Sequence, residues 1–217
     1  MTPEIAPCPA TAALVLAGGQ SRRMGQDKAL LPMADGGQSH TLLRHVCTVA
    51  QSCASNVYVL SPWPQRYREL LPTDIVLLQE HHEGSGPMSA LAQGWSMILK
   101  NTQHRYSCPP TWLLVLACDM PALNSTALQT WRQQLNTLHQ DEIAALPRYN
   151  DRWEPLCGFY HYRCIPNLQR AINNNVRSFQ QWLVNERIMT LSVTNSNVLR
   201  NCNTPTQWQQ FLDSASL

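Results

Sequence analysis

The sequence predicts an α/β fold whose central sheet is mostly parallel. Short apolar segments, which suit buried strands, alternate along the chain with segments whose apolar residues recur at helical spacing. The first apolar segment is unbroken by polar residues, which is typical of a strand covered on both faces. Strands that alternate with helices in this way form a layered sheet with helices on its two sides.

The individual elements follow from these patterns. Gly86-Pro87 opens a helix, because proline suits the first helical turn, and Asn124 or Ser125 can cap a helix that runs to about Leu138. The other predicted helices are Thr41 to Cys53, Ile165 to Ile172, Ser178 to Val184 and Pro205 to Leu212. The predicted strands are Ala12 to Ala17, Asn56 to Leu60, Ile75 to Leu78, Trp112 to Ala117, Ile143 to Leu146, Leu156 to Tyr160 and Ile188 to Val193.

The chain shows one continuous pattern rather than several units. Residues 1 to 10 contain three prolines and little periodicity, so we expect a poorly ordered lead-in there. Residues 11 to 217 show no internal repeat and no linker, and their length suits one buried core. The sequence therefore predicts a single domain over residues 11 to 217.

Composition and charge exclude several classes of protein. The net charge of +2 argues against a broad nucleic-acid-binding face, which usually carries a strong basic excess. No apolar run approaches the ~20 residues that span a bilayer, and residues 1 to 9 lack the pattern of a secretory signal. We therefore expect a soluble, cytoplasmic protein that binds neither a membrane nor nucleic acid.

The cysteines predict no metal site. They form no Cys-x-x-Cys pair, and no histidine stands at zinc-finger spacing. Cys47, Cys118 and Cys157 lie inside apolar segments, where a free cysteine behaves as a small hydrophobic residue. Reduced structural thiols are therefore favoured over disulfides.

A glycine-rich loop follows the first predicted strand. Gly18-Gly19 allows backbone N–H groups to approach a polyphosphate, and Arg22, Arg23 and Lys28 add charge that can neutralise phosphate oxygens. The loop is neither a Walker A loop nor a dinucleotide fingerprint, because the spacing fits neither. The alternative is a solvated basic turn, but phosphate binding is favoured by the position after a buried strand.

Acidic residues after two other strands are candidate ligands. Asp119 ends the fourth predicted strand, where it is either a turn residue or a magnesium ligand, since Mg²⁺ prefers few protein carboxylates together with substrate phosphates. The run from Glu80 to Glu83 includes two histidines, but neighbours on one loop seldom converge on one ion. A polar loop is the favoured interpretation of that run.

The segment Leu16-Ala-Gly-Gly-Gln-Ser-Arg-Arg-Met-Gly-Gln-Asp-Lys28 resembles the signature L-A-G-G-x-S-x-R-M-G-x-D-K of the molybdenum-cofactor guanylyltransferase family. Further segments resemble family motifs in the same order along the chain. They are Gly86-Pro87-Met88-Ser89-Ala90-Leu91, Ala117-Cys118-Asp119-Met120-Pro121 and Asn201-Cys202-Asn203-Thr204-Pro205. The resemblance covers residues 14 to about 208.

This resemblance implies a Rossmann-like three-layer nucleotidyltransferase fold and the Mg²⁺-dependent transfer of GMP from GTP to the phosphate of molybdopterin. It also implies roles for single residues. The catalytic set is Arg23, Lys28 and Asp119, and the metal ligands are Asp119 and Asn203. The nucleotide-binding set is Leu16, Ala17, Gly18, Gly19, Ser21, Arg22, Gly25, Lys28, Glu80, Gly86, Pro87 and Asp119. The cofactor substrate is expected to contact Asn201, Asn203 and Arg177.

Several alternatives stay open at this point. A sister transferase would use CTP with the same pterin, although Gly18-Gly19 resembles the GTP users, and a more distant one would use a sugar phosphate. A protein of another class would bind the nucleotide or the cofactor without catalysis, but the presence of Lys28, Asp119 and Asn203 together argues against a dead site. Molybdenum-cofactor insertion proteins and apo-molybdoenzymes are further expected partners.

Overall fold

A computed structural model describes residues 11–19, 21, 23–35, 38–81, 84–103 and 109–215. The lead-in predicted for residues 1 to 10 and the candidate phosphate ligand Arg22 lie outside these ranges. The strands in the described part of the chain are β1 Thr11–Leu16, β2 Pro32–Asp35, β3 Gln38–Thr41, β4 Asn56–Ser61, β5 Val76–Gln79, β6 Trp112–Ala117, β7 Ala144–Tyr149, β8 Arg152–Trp153, β9 Cys157–His161 and β10 Ile188–Leu191. The α-helices are α1 Leu42–Gln51, α2 Pro87–Gln103, α3 Ser125–Gln134, α4 Ile165–Asn173, α5 Phe179–Leu183 and α6 Pro205–Ala215.

The central sheet has the strand order β10-β7-β9-β6-β1-β4-β5, and β8 pairs with the carboxyl-terminal end of β7. Strand β1 lies in the middle and pairs in parallel with both β4 and β6. The pairs β4–β5 and β7–β10 are also parallel, whereas β9 runs antiparallel between β6 and β7. The prediction of a mostly parallel α/β sheet is therefore confirmed.

Helices cover both faces of this sheet because the inner strands are apolar on both sides. Val15 and Leu116 face a core that includes Leu43 of α1 and Trp131 of α3. Their sequence neighbours point the other way, and Leu14 packs in a second core that contains residues of α2, α4 and α5. The result is three layers, with the sheet in the middle, as the family resemblance implies.

The observed elements differ from the predicted ones in a few places. Helix α3 begins after its predicted cap Asn124, but it ends at Gln134 and gives way to a 3-10 turn at Leu135–Thr137. The β2–β3 hairpin and the short strand β8 were not predicted. Proline and polar residues dominate those segments, so they lack the apolar pattern on which a strand prediction rests, and only pairing reveals them.

The chain order of the strands determines where a ligand binds. From β1 the chain moves outward through β4 and β5, and then returns to the opposite side of β1 to form β6. The loops that leave β1 and β6 at their carboxyl ends therefore diverge and leave a crevice, which is the usual ligand position in such sheets. These are the loops that begin at Ala17 and Cys118.

The described residues add two further observations. Their helices include none with the length and apolar character that crossing a membrane requires. The cysteines for which the structure gives a state are all free thiols, namely Cys47, Cys53, Cys118, Cys157, Cys164 and Cys202.

The buried ring of His161 at the end of β9 makes the fold sensitive to acid. The side chain is 7% exposed, and its Nδ1 accepts a hydrogen bond from the backbone N–H of Arg163. Burial, assisted by the charge of Arg163, lowers the pKa of His161 to about 4. The unfolded chain therefore binds a proton at this ring between about pH 6.5 and pH 4 that the folded chain does not bind, so stability falls as pH falls through that window.

We predict that His161→Asn, which retains an acceptor for the Arg163 N–H, reduces this acid sensitivity. Between pH 7 and pH 5 the natural chain should lose on the order of 1–2 kcal/mol more unfolding free energy than the variant. Urea unfolding at the two pH values measures the difference. The exposed His139→Asn serves as the control and should behave like the natural chain. An equal loss in His161→Asn and the natural chain would show that this ring is not responsible.

Candidate active site

A cleft of about 540 Å³ opens at the carboxyl ends of β1 and β6. A cleft of this volume can hold a ligand the size of a nucleotide. Backbone from the glycine-rich loop forms one wall, and the start of α2 forms another. The lining residues are Leu16, Ala17, Gly18, Gly19, Ser21, Asp27, Lys28, Glu80, Gly84, Gly86, Pro87, Ala90, Ala117, Cys118, Asp119 and Leu156.

Ser21 folds the glycine-rich loop back on itself. Its backbone is left-handed, with φ at 46°, and its carbonyl accepts hydrogen bonds from the N–H groups of Met24 and Gly25. Its hydroxyl accepts a hydrogen bond from the backbone N–H of Lys28 and donates to the carbonyl of Gly19. One side chain thus ties the two ends of the loop together, which holds the loop in a defined shape beside the cleft.

Lys28 begins a 3-10 helix that is capped by Asp27. One carboxylate oxygen of Asp27 accepts the N–H of Ala29 at 3.0 Å, and the other accepts the hydroxyl of Tyr67 at 2.8 Å. The Tyr67 ring is 1% exposed, so the cap is anchored to the core. Burial, reinforced by the Asp27 carboxylate, raises the pKa of Tyr67, and its hydroxyl stays a donor. This anchor directs the side chain of Lys28 into the cleft.

The ammonium of Lys28 joins two oxygen atoms from remote parts of the chain. Its Nζ donates to Oδ2 of Asp119 at 2.7 Å and to Oδ1 of Asn203 at 2.8 Å. Both charged side chains are largely shielded from water, with 13% of Lys28 and 15% of Asp119 exposed. An ammonium has three N–H donors, so one stays available for a ligand within the described part of the site.

Asn203 is held by the chain segment that precedes α6. Its backbone N–H donates to Oε1 of Gln207 at 2.8 Å, and the N–H of Gln207 donates to the hydroxyl of Thr204. This pair of bonds resembles a capping box at the helix start. The N–H of Cys202 donates to the carbonyl of Asp119 at 2.9 Å, which fastens the same segment to the end of β6.

Gly18 permits a close approach between the loop and Glu80. A Cβ atom at residue 18 would overlap the Glu80 carboxylate and touch the ring of Pro62. The carboxylate of Glu80 therefore lies directly beside the loop, on the wall of the cleft opposite Asp119. Gly86 has φ at 86°, a conformation that favours glycine, and it turns the chain into Pro87 at the start of α2.

A second cleft of about 560 Å³ is bordered by Pro121 and Ala122, which follow Asp119 in the chain. It is bounded by the β7–β8 hairpin and by the C-terminal segment around α6. The lining residues are Pro121, Ala122, Tyr149, Glu154, Asn197, Leu199, Arg200, Asn201, Cys202, Gln207, Phe211 and Ser214. Lys28 and Asp119 line the first cleft, and Cys202, whose N–H donates to the carbonyl of Asp119, lines the second, so the two clefts are neighbours.

The structure brings most of the predicted residues to these clefts, but not all of them. Arg23 and Gly25 are exposed on the glycine-rich loop and line neither cleft. Arg177 is exposed between α4 and α5 and also lines neither. Asn201 lines the second cleft and not the first. Asn203 lines neither, but its Oδ1 accepts a hydrogen bond from Lys28, which lines the first cleft.

Three residues near the two clefts were not predicted from the sequence. Asp27 lies inside the glycine-rich segment, so its carboxylate could have been noticed there as a cap for the following turn. Gln207 stands three residues after Thr204, which is the spacing of a capping box. Glu154 precedes a strand and carries no local pattern that could have revealed its place in the second cleft.

The described residues that line the first cleft provide charge and oxygen ligands but no activated nucleophile. Burial, followed by the charge of Asp119, raises the pKa of the Cys118 thiol, and burial does the same for Cys157. Both remain thiols. The described residues include no cluster of three or more His, Cys, Asp or Glu side chains that could hold a metal ion by themselves. Chemistry here therefore depends on positioning and charge neutralisation.

The oxygen atoms of Asp119 and Asn203 fit a hard cation. They converge on one point, where each accepts a hydrogen bond from the same Lys28 ammonium. Carboxylate and amide oxygens are ligands that Mg²⁺ accepts, and the ion commonly completes its shell with phosphates and water. The donor set is thus compatible with a divalent metal that is shared with a bound polyphosphate.

A glycine-rich loop, a lysine and a carboxylate at the switch point of an α/β sheet define the class of nucleotide-binding proteins that act on phosphate groups. The chain belongs to the MobA-like NTP transferase family, because the family model for this domain matches residues 13–187. The chain is accordingly a nucleotidyltransferase, and the resemblance found in the sequence is confirmed.

Individual proteins agree with this assignment. A protein from Nostoc sp. named probable molybdenum cofactor guanylyltransferase is 44% identical over 193 residues, which covers 89% of this chain and 86% of the relative. One of the same name from Synechococcus elongatus is 40% identical and covers 91% of this chain and 96% of the relative. The crystal structure of molybdopterin-guanine dinucleotide biosynthesis protein A from Archaeoglobus fulgidus has the same fold, with a TM-score of 0.71 at 19% identity, over 94% of this chain and 98% of that one.

We predict that Gln207→Ala weakens the anchor of Asn203 and lowers the unfolding free energy by about 1 kcal/mol, the usual contribution of a cap. Gln207→Glu retains an acceptor for the Asn203 N–H and should restore most of that loss. Urea unfolding of the three proteins at pH 7 provides the comparison. Equal stability of the alanine variant and the natural chain would mean that the bond does not hold this segment.

Proposed function

We propose that the protein transfers GMP from GTP to the phosphate of molybdopterin, forms the guanine dinucleotide form of the cofactor and releases pyrophosphate. Family membership and the names of the relatives support the reaction class and the substrates. The observation that carries the proposal for this chain is the cluster of Lys28, Asp119 and Asn203 at the first cleft. A backbone hydrogen bond joins Asp119 of this cluster to Cys202, which lines the second cleft. A transfer between two large substrates needs charge-neutralising groups at such a junction.

In this proposal GTP occupies the cleft beside β1. The backbone of Gly18 and Gly19 cradles the phosphates, and the free N–H of Lys28 donates to a phosphate oxygen. Arg23 is exposed on the same loop and contributes positive charge near the mouth of the cleft. Glu80 stands beside Gly18, where its carboxylate can accept hydrogen bonds from the N–H donors of the guanine base.

Magnesium is the proposed metal, with Asp119 and Asn203 as its protein ligands. When bound, Mg²⁺ supplies charge neutralisation for the phosphate groups. The two side-chain oxygens already face one cation, and each has a further lone pair, so Lys28 and Mg²⁺ can share them. The Lys28 ammonium and a metal held by Asp119 and Asn203 would thus both bring positive charge to the reacting phosphate.

The acceptor occupies the second cleft, where Asn201 and Gln207 offer amide groups to it. Its own phosphate oxygen attacks the α-phosphorus of GTP, the bond between the α-phosphorus and the bridging oxygen breaks, and pyrophosphate leaves. Since the substrate supplies the nucleophile, the protein needs no serine or cysteine for it. Arg177 as an acceptor contact stays a prediction that rests on the family resemblance alone.

The proposal also includes a cytoplasmic location and delivery of the product to molybdenum-cofactor insertion proteins or apo-molybdoenzymes. These parts rest on the same resemblance. Pull-down with an apo-molybdoenzyme from the same cells tests the delivery. Absence of a complex in the presence of the dinucleotide product would remove it from the proposal.

Pyrophosphate release tests the proposed reaction directly. Release should require GTP, molybdopterin and Mg²⁺ together, and replacement of GTP by CTP or ATP should reduce it strongly. Release with CTP in preference to GTP would move the protein to the cytidylyltransferase activity. Binding of GTP without release for any molybdopterin preparation would overturn the proposal.

We predict that Asp119→Ala lowers the rate of GMP transfer by at least about a hundredfold, because the metal and Lys28 both lose a carboxylate partner. The fold should stay intact, since Asp119 is part of the cleft and not of the core. Circular dichroism checks the fold, and the exposed Asp213→Ala is the control for removal of a carboxylate. Full activity of Asp119→Ala would refute the metal assignment.

A further inference from the structure

The second cleft has the composition of a site for a polar heteroaromatic ring. Tyr149 and Phe211 provide aromatic surface, while Arg200 and the amides of Asn197 and Asn201 provide polar groups. A cleft of about 560 Å³ lies in the range of small-molecule sites. Of the described residues that line it, Glu154 alone carries a carboxylate.

Glu154 stands out in this cleft because its carboxylate is half-buried and has no hydrogen-bond donor among the residues that the structure describes. Burial raises the pKa of Glu154, although the positive charge of Arg152 opposes the increase and the negative charge of Asp119 adds a smaller contribution to it. A carboxylate that has lost part of its hydration without gaining a donor is costly. A ligand with two N–H donors would restore those bonds.

The backbone around Glu154 is held rigidly. The N–H of Glu154 donates to the carbonyl of Pro147 at 3.0 Å, and its carbonyl accepts the N–H of Cys157 at 3.2 Å. The hydroxyl of the buried Tyr160 donates to the carbonyl of the next residue, Pro155, at 2.8 Å. The backbone that carries the Glu154 side chain is therefore fixed, and a rigid support of this kind favours a specificity contact.

The pterin ring of the proposed acceptor has hydrogen-bond donors that complement the carboxylate of Glu154. A pterin ring carries an amino group beside a ring N–H, and these neighbouring donors match the two oxygens of a carboxylate as a guanidinium does. The other polar groups of the cleft are mainly amides, which pair with rings of many kinds. Glu154 is the group that can distinguish an amino-bearing ring from one that carries an oxygen at that position.

We propose that Glu154 determines acceptor specificity by accepting hydrogen bonds from the amino group and ring N–H of the pterin. This inference rests on the proposed function, because it takes the pterin substrate from there. Glu154 contacts the ring and not the reacting phosphate, so it governs affinity for the acceptor and leaves the use of GTP unchanged.

The test compares pterin with lumazine, which carries a carbonyl in place of the amino group. Both rings lack a phosphate, so binding is measured without turnover by fluorescence titration. The natural chain should prefer pterin. Glu154→Gln replaces an acceptor by an N–H donor and should weaken pterin binding ~10- to 100-fold while it retains or improves lumazine binding. A merely structural effect would weaken both rings alike.

Asp151→Asn is the matched control. Asp151 is an exposed carboxylate in the same hairpin with φ at 59°, a conformation that asparagine tolerates, and it does not line the cleft. This variant should bind both rings as the natural chain does. If Glu154→Gln keeps the natural preference for pterin, or if Asp151→Asn loses it equally, the assignment of Glu154 is wrong.

Transfer kinetics separate this inference from the proposed function. If the natural chain transfers GMP to molybdopterin, Glu154→Gln should raise the KM for molybdopterin ~10- to 100-fold with the KM for GTP unchanged. An unchanged KM for molybdopterin would overturn the inference and leave the proposed function in place. Selective pterin binding without any transfer would overturn the proposed function and support Glu154. Failure of the natural chain in both measurements would overturn both.

Discussion

The bonds that Lys28 makes to Asp119 and Asn203 are the interaction on which the site depends. They join positions that are 91 and 175 residues apart in the chain. Because the charged groups are mostly shielded from water, the attraction between them is screened less than that of a surface ion pair. Loss of Lys28 would leave the side-chain oxygens of Asp119 and Asn203 without their shared hydrogen-bond donor.

Three separate segments of the chain carry the residues of this cluster. Strand β1 delivers the glycine-rich loop, at whose end Asp27 and Tyr67 fix the turn that carries Lys28. Strand β6 ends beside it and delivers Asp119. The segment before α6 returns from the far end of the chain, where Gln207 fixes Asn203. The turn that carries Lys28 and the segment that carries Asn203 are thus each held by a further residue, so these two side chains need little reorganisation when a ligand binds.

Much of this arrangement could be predicted from the sequence. The inner strands are continuous apolar runs, and Trp112–Ala117 was predicted with the bounds that the structure has. The glycine-rich loop and Asp119 follow two such strands, and the order of the strands brings their carboxyl ends together. The β2–β3 hairpin was not predictable, since its stability comes from pairing and not from an apolar pattern.

The second cleft could not be predicted for a related reason. It is formed by the β7–β8 hairpin and the C-terminal segment, which meet only in the folded chain, so the spacing of Glu154 and Asn201 in the sequence carries no information about their proximity. Arg177 shows the opposite case, because a motif suggested it while the structure leaves it exposed outside both clefts. The motifs thus include many residues that line the first cleft and, of the described residues that line the second, only Pro121, Asn201 and Cys202.

A double-mutant cycle between Lys28→Met and Asn203→Ala tests the central claim most directly, with kcat/KM for GMP transfer as the measured quantity. If the two side chains act as one unit with Asp119, each single variant loses most of the activity and the double variant loses little more, with a coupling of roughly 1–3 kcal/mol. Losses that simply add would show that the two residues act independently, and the bonds seen between them would then not be the interaction that organises the site.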